Sequence, residues 1–108
     1  MAAYGAVHGG DVKAFASFWA TLAGVRYRIR FVRSSEIPFD RFADCSSPES
    51  SKREIRVRQV LRGKARLETV IHEALHAQTW TRSETDVARS ARELAALLWR
   101  CGYREVEP

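Results

Sequence analysis

The residues best equipped for chemistry in this chain are His72, Glu73 and His76, in the run His72-Glu73-Ala74-Leu75-His76. Two imidazoles four positions apart stack one above the other on a helix, so both rings can turn toward one ion. Zinc takes imidazole nitrogen at about 2.0–2.1 Å, a geometry that two such side chains satisfy together. Glu73 is rotated by roughly 100° from His72 about the same axis. Its carboxylate can therefore meet a metal-bound water without displacing a ligand, and can accept that water's proton. The H-E-x-x-H pattern carries this meaning only on a helix. The alternative without chemistry is two histidines on the polar side of an amphipathic helix, with Glu73 solvated.

A catalytic zinc site wants a third protein ligand and one open position. In the longer pattern H-E-x-x-H-x-x-G-x-x-H, the places of the glycine and the last histidine are held here by Thr79 and Arg82. The ligand must come from elsewhere, and Glu84 is the choice. It lies three residues before Val87, on the same helical stripe as Val87, Ala91, Leu94 and Leu98, and an acid on an inward stripe needs a partner. Without a metal, Glu84 would be a first-turn acid favoured by the helix dipole. Asp86 is the competitor. It lies off the stripe and is assigned to the helix cap or to a hydrogen bond with a ligand histidine. Glu93 faces away, and nothing fixes His8, which lies near the N-terminus.

These residues need elements to hold them. From Lys64 onward Leu67, Val70, Ile71, Ala74 and Leu75 recur at helical spacing, which predicts a helix ending near Thr79 or Trp80. Ser83-x-x-Asp86 has capping-box spacing and predicts a second helix, with Gly102 placed to end it. Upstream, apolar residues and arginines alternate from Val25 to Val32, the period of a strand with one buried face and one guanidinium face. Residues 55–58 repeat the pattern, and residues 41–45 are a candidate short strand within a turn-rich stretch holding Pro38 and Pro48. Asp11 is expected to cap an N-terminal helix through Phe15, Phe18, Trp19 and Leu22 that Gly24 stops. Residues 1–10 are glycine-rich and expected to be loose, leaving 11–108 as a single domain. The order of elements implies an α+β domain with a small, mostly antiparallel sheet.

Ile71 to Ala77, followed by Ser83-Glu84-Thr85-Asp86-Val87 and a closing helix with Leu97-Leu98-Trp99-Arg100-Cys101-Gly102-Tyr103, resembles the minimal gluzincin-like zinc metallopeptidases of bacteria and their phages. The likeness covers roughly residues 25–104. It implies a reduced zincin fold, with His72 and His76 as zinc ligands, Glu73 as catalytic acid/base and Glu84 as third ligand. The expected activity is peptide-bond hydrolysis on a peptide or protein substrate. Zincins usually hold their peptide along an edge strand, and residues 55–58 are the expected edge. No residue matches the tyrosine or histidine with which larger members steady the transition state. Tyr27 and Tyr103 are the candidates.

Length and composition bound the alternatives. The chain has 108 residues, 45% of them hydrophobic and 29% charged, enough for one modest core. No apolar stretch approaches the roughly 20 residues needed to span a bilayer, so no membrane role is expected. Residues 14–22 are apolar but lack a preceding basic region and a cleavage site, and are not read as a signal peptide. Two isolated cysteines, Cys45 and Cys101, favour a reducing, cytoplasmic setting. The net charge of +5 and pI of about 9.8 keep a second reading open, a zinc-stabilised basic domain that binds nucleic acid or a protein partner without catalysis. Arg26, Arg28 and Arg30 would share a strand face, with Arg56 and Arg58 extending it. Tyr27 and Phe31 alternate to the other side, so the sequence places no stacking aromatic among them. A third reading is a deformylase-like amide hydrolase, which would need Cys45 as a ligand. Its setting, Ala43-Asp44-Cys45-Ser46-Ser47, differs from the Glu-Gly-Cys-Leu of that family.

Overall fold

The structure, a computed structural model, describes residues 17–106. Along the chain run β1 (Ser17–Leu22), β2 (Val25–Val32), a single 3-10 turn (Ser34–Glu36), β3 (Ala43–Cys45), β4 (Glu54–Arg58), α1 (Gly63–Gln78) and α2 (Glu84–Arg100). The α+β class expected from the alternating and helical periods is what the chain adopts. The loose segment expected at residues 1–10 lies outside the described residues.

The expected N-terminal helix is corrected by the structure. Phe18, Trp19 and Leu22 stand on β1, which pairs antiparallel with β2 from Ser17 opposite Arg30 to Leu22 opposite Val25. Residues 11–16 of that expected helix lie outside the described residues. The link between the strands is two residues long, Ala23 and Gly24, with φ of 52° and 78°. Positive φ at both positions is the signature of a hairpin turn whose twist matches its strands. Gly24 thus serves as a hairpin residue, not a helix stop.

The four strands lie in the order β1-β2-β4-β3. β1 with β2 and β3 with β4 are antiparallel, whereas β2 and β4 run parallel, so the sheet is mixed. The parallel pair requires a long crossover, and the irregular stretch between β2 and β4, which contains β3, provides it. β4 is therefore interior. The edge strand expected at residues 55–58 is instead β3, because β4 has a neighbour on either side.

Register assigns the faces. Tyr27 and Ile29 of β2, Ile55 and Val57 of β4 and Ala43 of β3 are buried together with Ala77 of α1. α1 therefore covers that face, with α2 packed on α1, and the alternate residues, Arg26, Arg28 and Arg30 among them, occupy the other. On α2 the buried stripe is Val87, Ala91 and Ala95. Leu94, expected on it, is exposed at 40%. Small residues at those positions let α1 and α2 approach closely enough to bring their side chains into one site. Two ties fix the start of α1. Its first residue, Gly63, has φ of +60°, a conformation that costs glycine least. Its N–H donates to the Glu105 carboxylate, which also pairs with Arg62 and Arg66.

Arg58, expected on an exposed edge, is buried. Its guanidinium donates to the carbonyls of Ser34, Ile37, Pro38 and Arg41 at 2.7–3.3 Å. One arginine fork thus serves four carbonyls of an irregular segment. Those of Ser34 and Pro38 also accept a backbone N–H, whereas those of Ile37 and Arg41 have no other donor among the described hydrogen bonds. This fixes the path of the chain into β3. No helix among the described residues is long and apolar enough to cross a membrane.

Candidate metal centre

His72 and His76 lie one turn apart on α1, and Glu84 is the first residue of α2. Their arrangement follows from local sequence. Ser83 ends the interhelical turn by accepting the Asp86 N–H at 3.1 Å with its hydroxyl, which starts α2 one residue later. Glu84 then projects back over the last turns of α1. Its two carboxylate oxygens divide between the rings, Oε2 at 2.8 Å from His72 Nε2 and Oε1 at 2.8 Å from His76 Nε2. The rings lie 4.9 Å apart at 60° to one another. One donor atom from each of the three side chains lies within 4.8 Å of the others. Glu84, chosen on helical spacing, is the acid that the structure brings to the histidines. It does so at an exposed position, not on the buried stripe, since 70% of its side chain is accessible.

Two imidazole nitrogens and one carboxylate are a donor set that could hold a metal ion. Asp86 does not join them. Its carboxylate accepts from Arg89 at 2.8 Å, so it neither ligates nor orients a histidine, and the reciprocal half of the expected capping box is absent among the described hydrogen bonds.

Glu73, next to His72 on α1, is buried. Burial pushes its carboxyl up, and the nearby charges of Asp44 and Glu84 push it further against the pull of Arg41, to about 7. Such a group can exchange a proton near neutrality. Glu73 and the three candidate ligands line one cleft of about 680 Å³, with α1 as its floor, β3 as one wall, and Trp80 and Arg82 at the rim.

β3 presents a free edge to this cleft among the described residues. Phe42 O accepts from Arg58 N and Ser46 N donates to Glu54 O. By the alternation of an antiparallel ladder, the backbone groups of Ala43 and Cys45 turn outward.

Several sequence candidates fall elsewhere. Tyr27 is fully buried and donates to the Ser46 carbonyl. Tyr103 lines a separate cavity at the far end of the helices. Neither reaches the cleft. Cys45 does line it, but it is absent from the converging donors. Burial, followed by the charges of Glu73 and Asp44, pushes its thiol up to about 12, the opposite of what a thiolate ligand requires. His8 lies outside the described residues. The residue that sequence reasoning missed is Arg41, on the cleft wall and close enough to act on the Glu73 charge. It sits in an irregular segment, where no periodicity signals which way a side chain points.

Comparison with models of protein families, with curated proteins and with solved structures finds no match to this chain.

Proposed function

We propose that this protein is a zinc-dependent peptidase. The observation that carries the reading is the meeting of His72, His76 and Glu84 in the same cleft as a buried carboxyl poised near pH 7, that of Glu73. His72, His76 and Glu84 would hold the ion. Bound zinc would supply a Lewis acid for the scissile carbonyl and lower the pKa of a coordinated water. Glu73 is the proton carrier. It accepts the proton of the attacking water and passes it to the departing amine, roles for which a carboxyl titrating near neutrality is matched.

The substrate would add to the free edge of β3 as an extended peptide, with the outward backbone groups of Ala43 and Cys45 as its partners. Arg41, at the end of the segment pinned by Arg58, is placed to bind a carbonyl oxygen or an acidic side chain of that peptide. The architecture that goes with this reading is a reduced zincin-like domain, and the setting is the cytoplasm, which two free thiols favour.

The test is hydrolysis of a fluorescence-quenched peptide library by protein loaded with one equivalent of zinc, with Glu73→Gln measured beside it. Cleavage by the parent and none by the zinc-retaining variant supports the reading. Equal cleavage by both rules out Glu73 as the proton carrier, and cleavage by neither makes the domain a metal-stabilised module.

A further inference from the structure

The sheet face turned away from the helices carries an aromatic that the sequence had placed on a helix. Trp19 of β1 stands directly opposite Arg28 of β2, and Thr21 opposite Arg26. Residues paired in this way share a face. Trp19 is 58% exposed, and the Arg26 guanidinium lies 5.2 Å from its ring centroid.

Charge divides this face in two. Toward β3 and β4 each arginine has a counter-group within the protein. Arg30 lies between Glu36 and Glu54, Arg56 pairs with Asp44, and Arg58 is enclosed by carbonyls. Beside Trp19 the pattern stops. Among the described residues Arg26 and Arg28 make no ion pair: Glu54, in register with Arg28, pairs with Arg30, and Arg28 has the Ser17 hydroxyl at 3.4 Å. Two guanidinium groups side by side on one strand face repel one another unless an anion joins them. An indole exposed among them offers a flat surface on which any base can stack.

We infer that the Trp19, Arg26 and Arg28 face binds single-stranded nucleic acid, a base stacking on Trp19 while the arginines hold adjacent phosphates. A flat sheet with one aromatic suits unpaired bases, whereas reading a duplex requires an element that enters a groove. The surface lies on the opposite side of the sheet from the helices that carry the metal ligands, so it stands whether or not the chain is a peptidase. If it is one, the surface would bring the cleft to substrates assembled on nucleic acid.

Fluorescence anisotropy with a labelled oligothymidylate of about 16 nucleotides tests this. Two neutralised phosphates predict that binding weakens about sevenfold between about 50 and 200 mM salt. Trp19→Ala should weaken it about tenfold. Arg26→Ser with Arg28→Ser should remove most of the salt dependence. Arg92→Ser with Arg100→Ser on α2, which changes net charge equally, should leave stacking-dependent binding in place. Zinc content and thermal midpoint report the folding of each variant. The proposal is overturned if the α2 control loses as much as the sheet variants, if Trp19→Ala has no effect, if duplex DNA binds as tightly as the single strand, or if phosphatidylserine vesicles are bound in preference to the oligonucleotide.

Discussion

Replacing Glu73 by glutamine keeps the shape of the side chain and removes its ionisation, so it isolates what the buried carboxylate does to folding. The Glu73 carboxyl has an ordinary value of 4.5 and is pushed up to about 7 in the fold. Between those values the folded chain keeps a proton that the unfolded chain has released. Stability of the metal-free protein therefore falls as pH rises through that window and levels off above it. The interval corresponds to about 3 kcal/mol, a substantial part of the roughly 5–15 kcal/mol that holds a domain together. Glutamine escapes this cost. In urea unfolding of metal-stripped protein, Glu73→Gln should be nearly as stable as the parent at acid pH. Above neutrality it should be the more stable, by about 1.5 M in midpoint for a urea dependence of about 2 kcal/mol per molar. Added zinc should narrow the gap, because a cation beside the carboxylate favours its charged form. A gap of the same size at every pH, or a glutamine variant that is the less stable at pH 8, would refute the assignment of Glu73 as a desolvated acid.

Other consequences follow from the same geometry. Arg58→Met should cost about 3 kcal/mol in chemical unfolding, since it leaves the Ile37 and Arg41 carbonyls without a donor and takes a second one from Ser34 and Pro38; Arg58→Lys should not restore it because an ammonium lacks the fork. An unchanged midpoint in either would contradict the role given to this side chain. Iodoacetamide at neutral pH should modify exposed Cys101 well before Cys45, whose thiol is pushed up to about 12. Peptide mapping by mass spectrometry reads the order, and faster labelling of Cys45 would overturn it. Glu105 is held below its usual range, because the Gly63 N–H and the charges of Arg66 and Arg62 outweigh the effect of burial. Its support of α1 should be present above the ordinary carboxylate value and fade as pH falls through the lowered one. Glu105→Gln should therefore destabilise by about 1 kcal/mol at pH 7 and by less in acid. A loss that does not diminish in acid would argue against the ion pairs.

The parts of the fold that were legible in the sequence are those where one residue pattern has one structural meaning. Alternating arginines and apolar residues specified β2 and β4, and a period near 3.6 specified both helices. Because His72 and His76 stand one turn apart on a predicted helix, their meeting followed from helical geometry alone. Glu84 was legible for a weaker reason, its phase relative to Val87, and it reaches the histidines only because the short turn capped by Ser83 folds α2 back over α1. The N-terminal strand was misread because Phe18, Trp19 and Leu22 fit a helical stripe as well as a strand. The hairpin that decides between them uses Ala23 at φ 52°, where asparagine or glycine would have announced the turn. That error hid the aromatic on the arginine face. The parallel pairing of β2 with β4, and with it the identity of the edge strand, was invisible because strand order depends on a crossover without regular structure. Its path is set by Arg58, a residue whose burial no periodicity foretells.

The claim on which the account rests is that three side chains from two helices hold one ion. It is tested most directly by the zinc content of protein stripped with chelator, reloaded and passed through gel filtration, measured for the parent and for His72→Ala, His76→Ala, Glu84→Ala and Asp86→Ala. The account predicts one zinc per chain in the parent and in the Asp86 variant, and loss of zinc in the other three, each of them still folded by circular dichroism. Zinc retained without His72, His76 or Glu84, or no zinc in the parent, would contradict it.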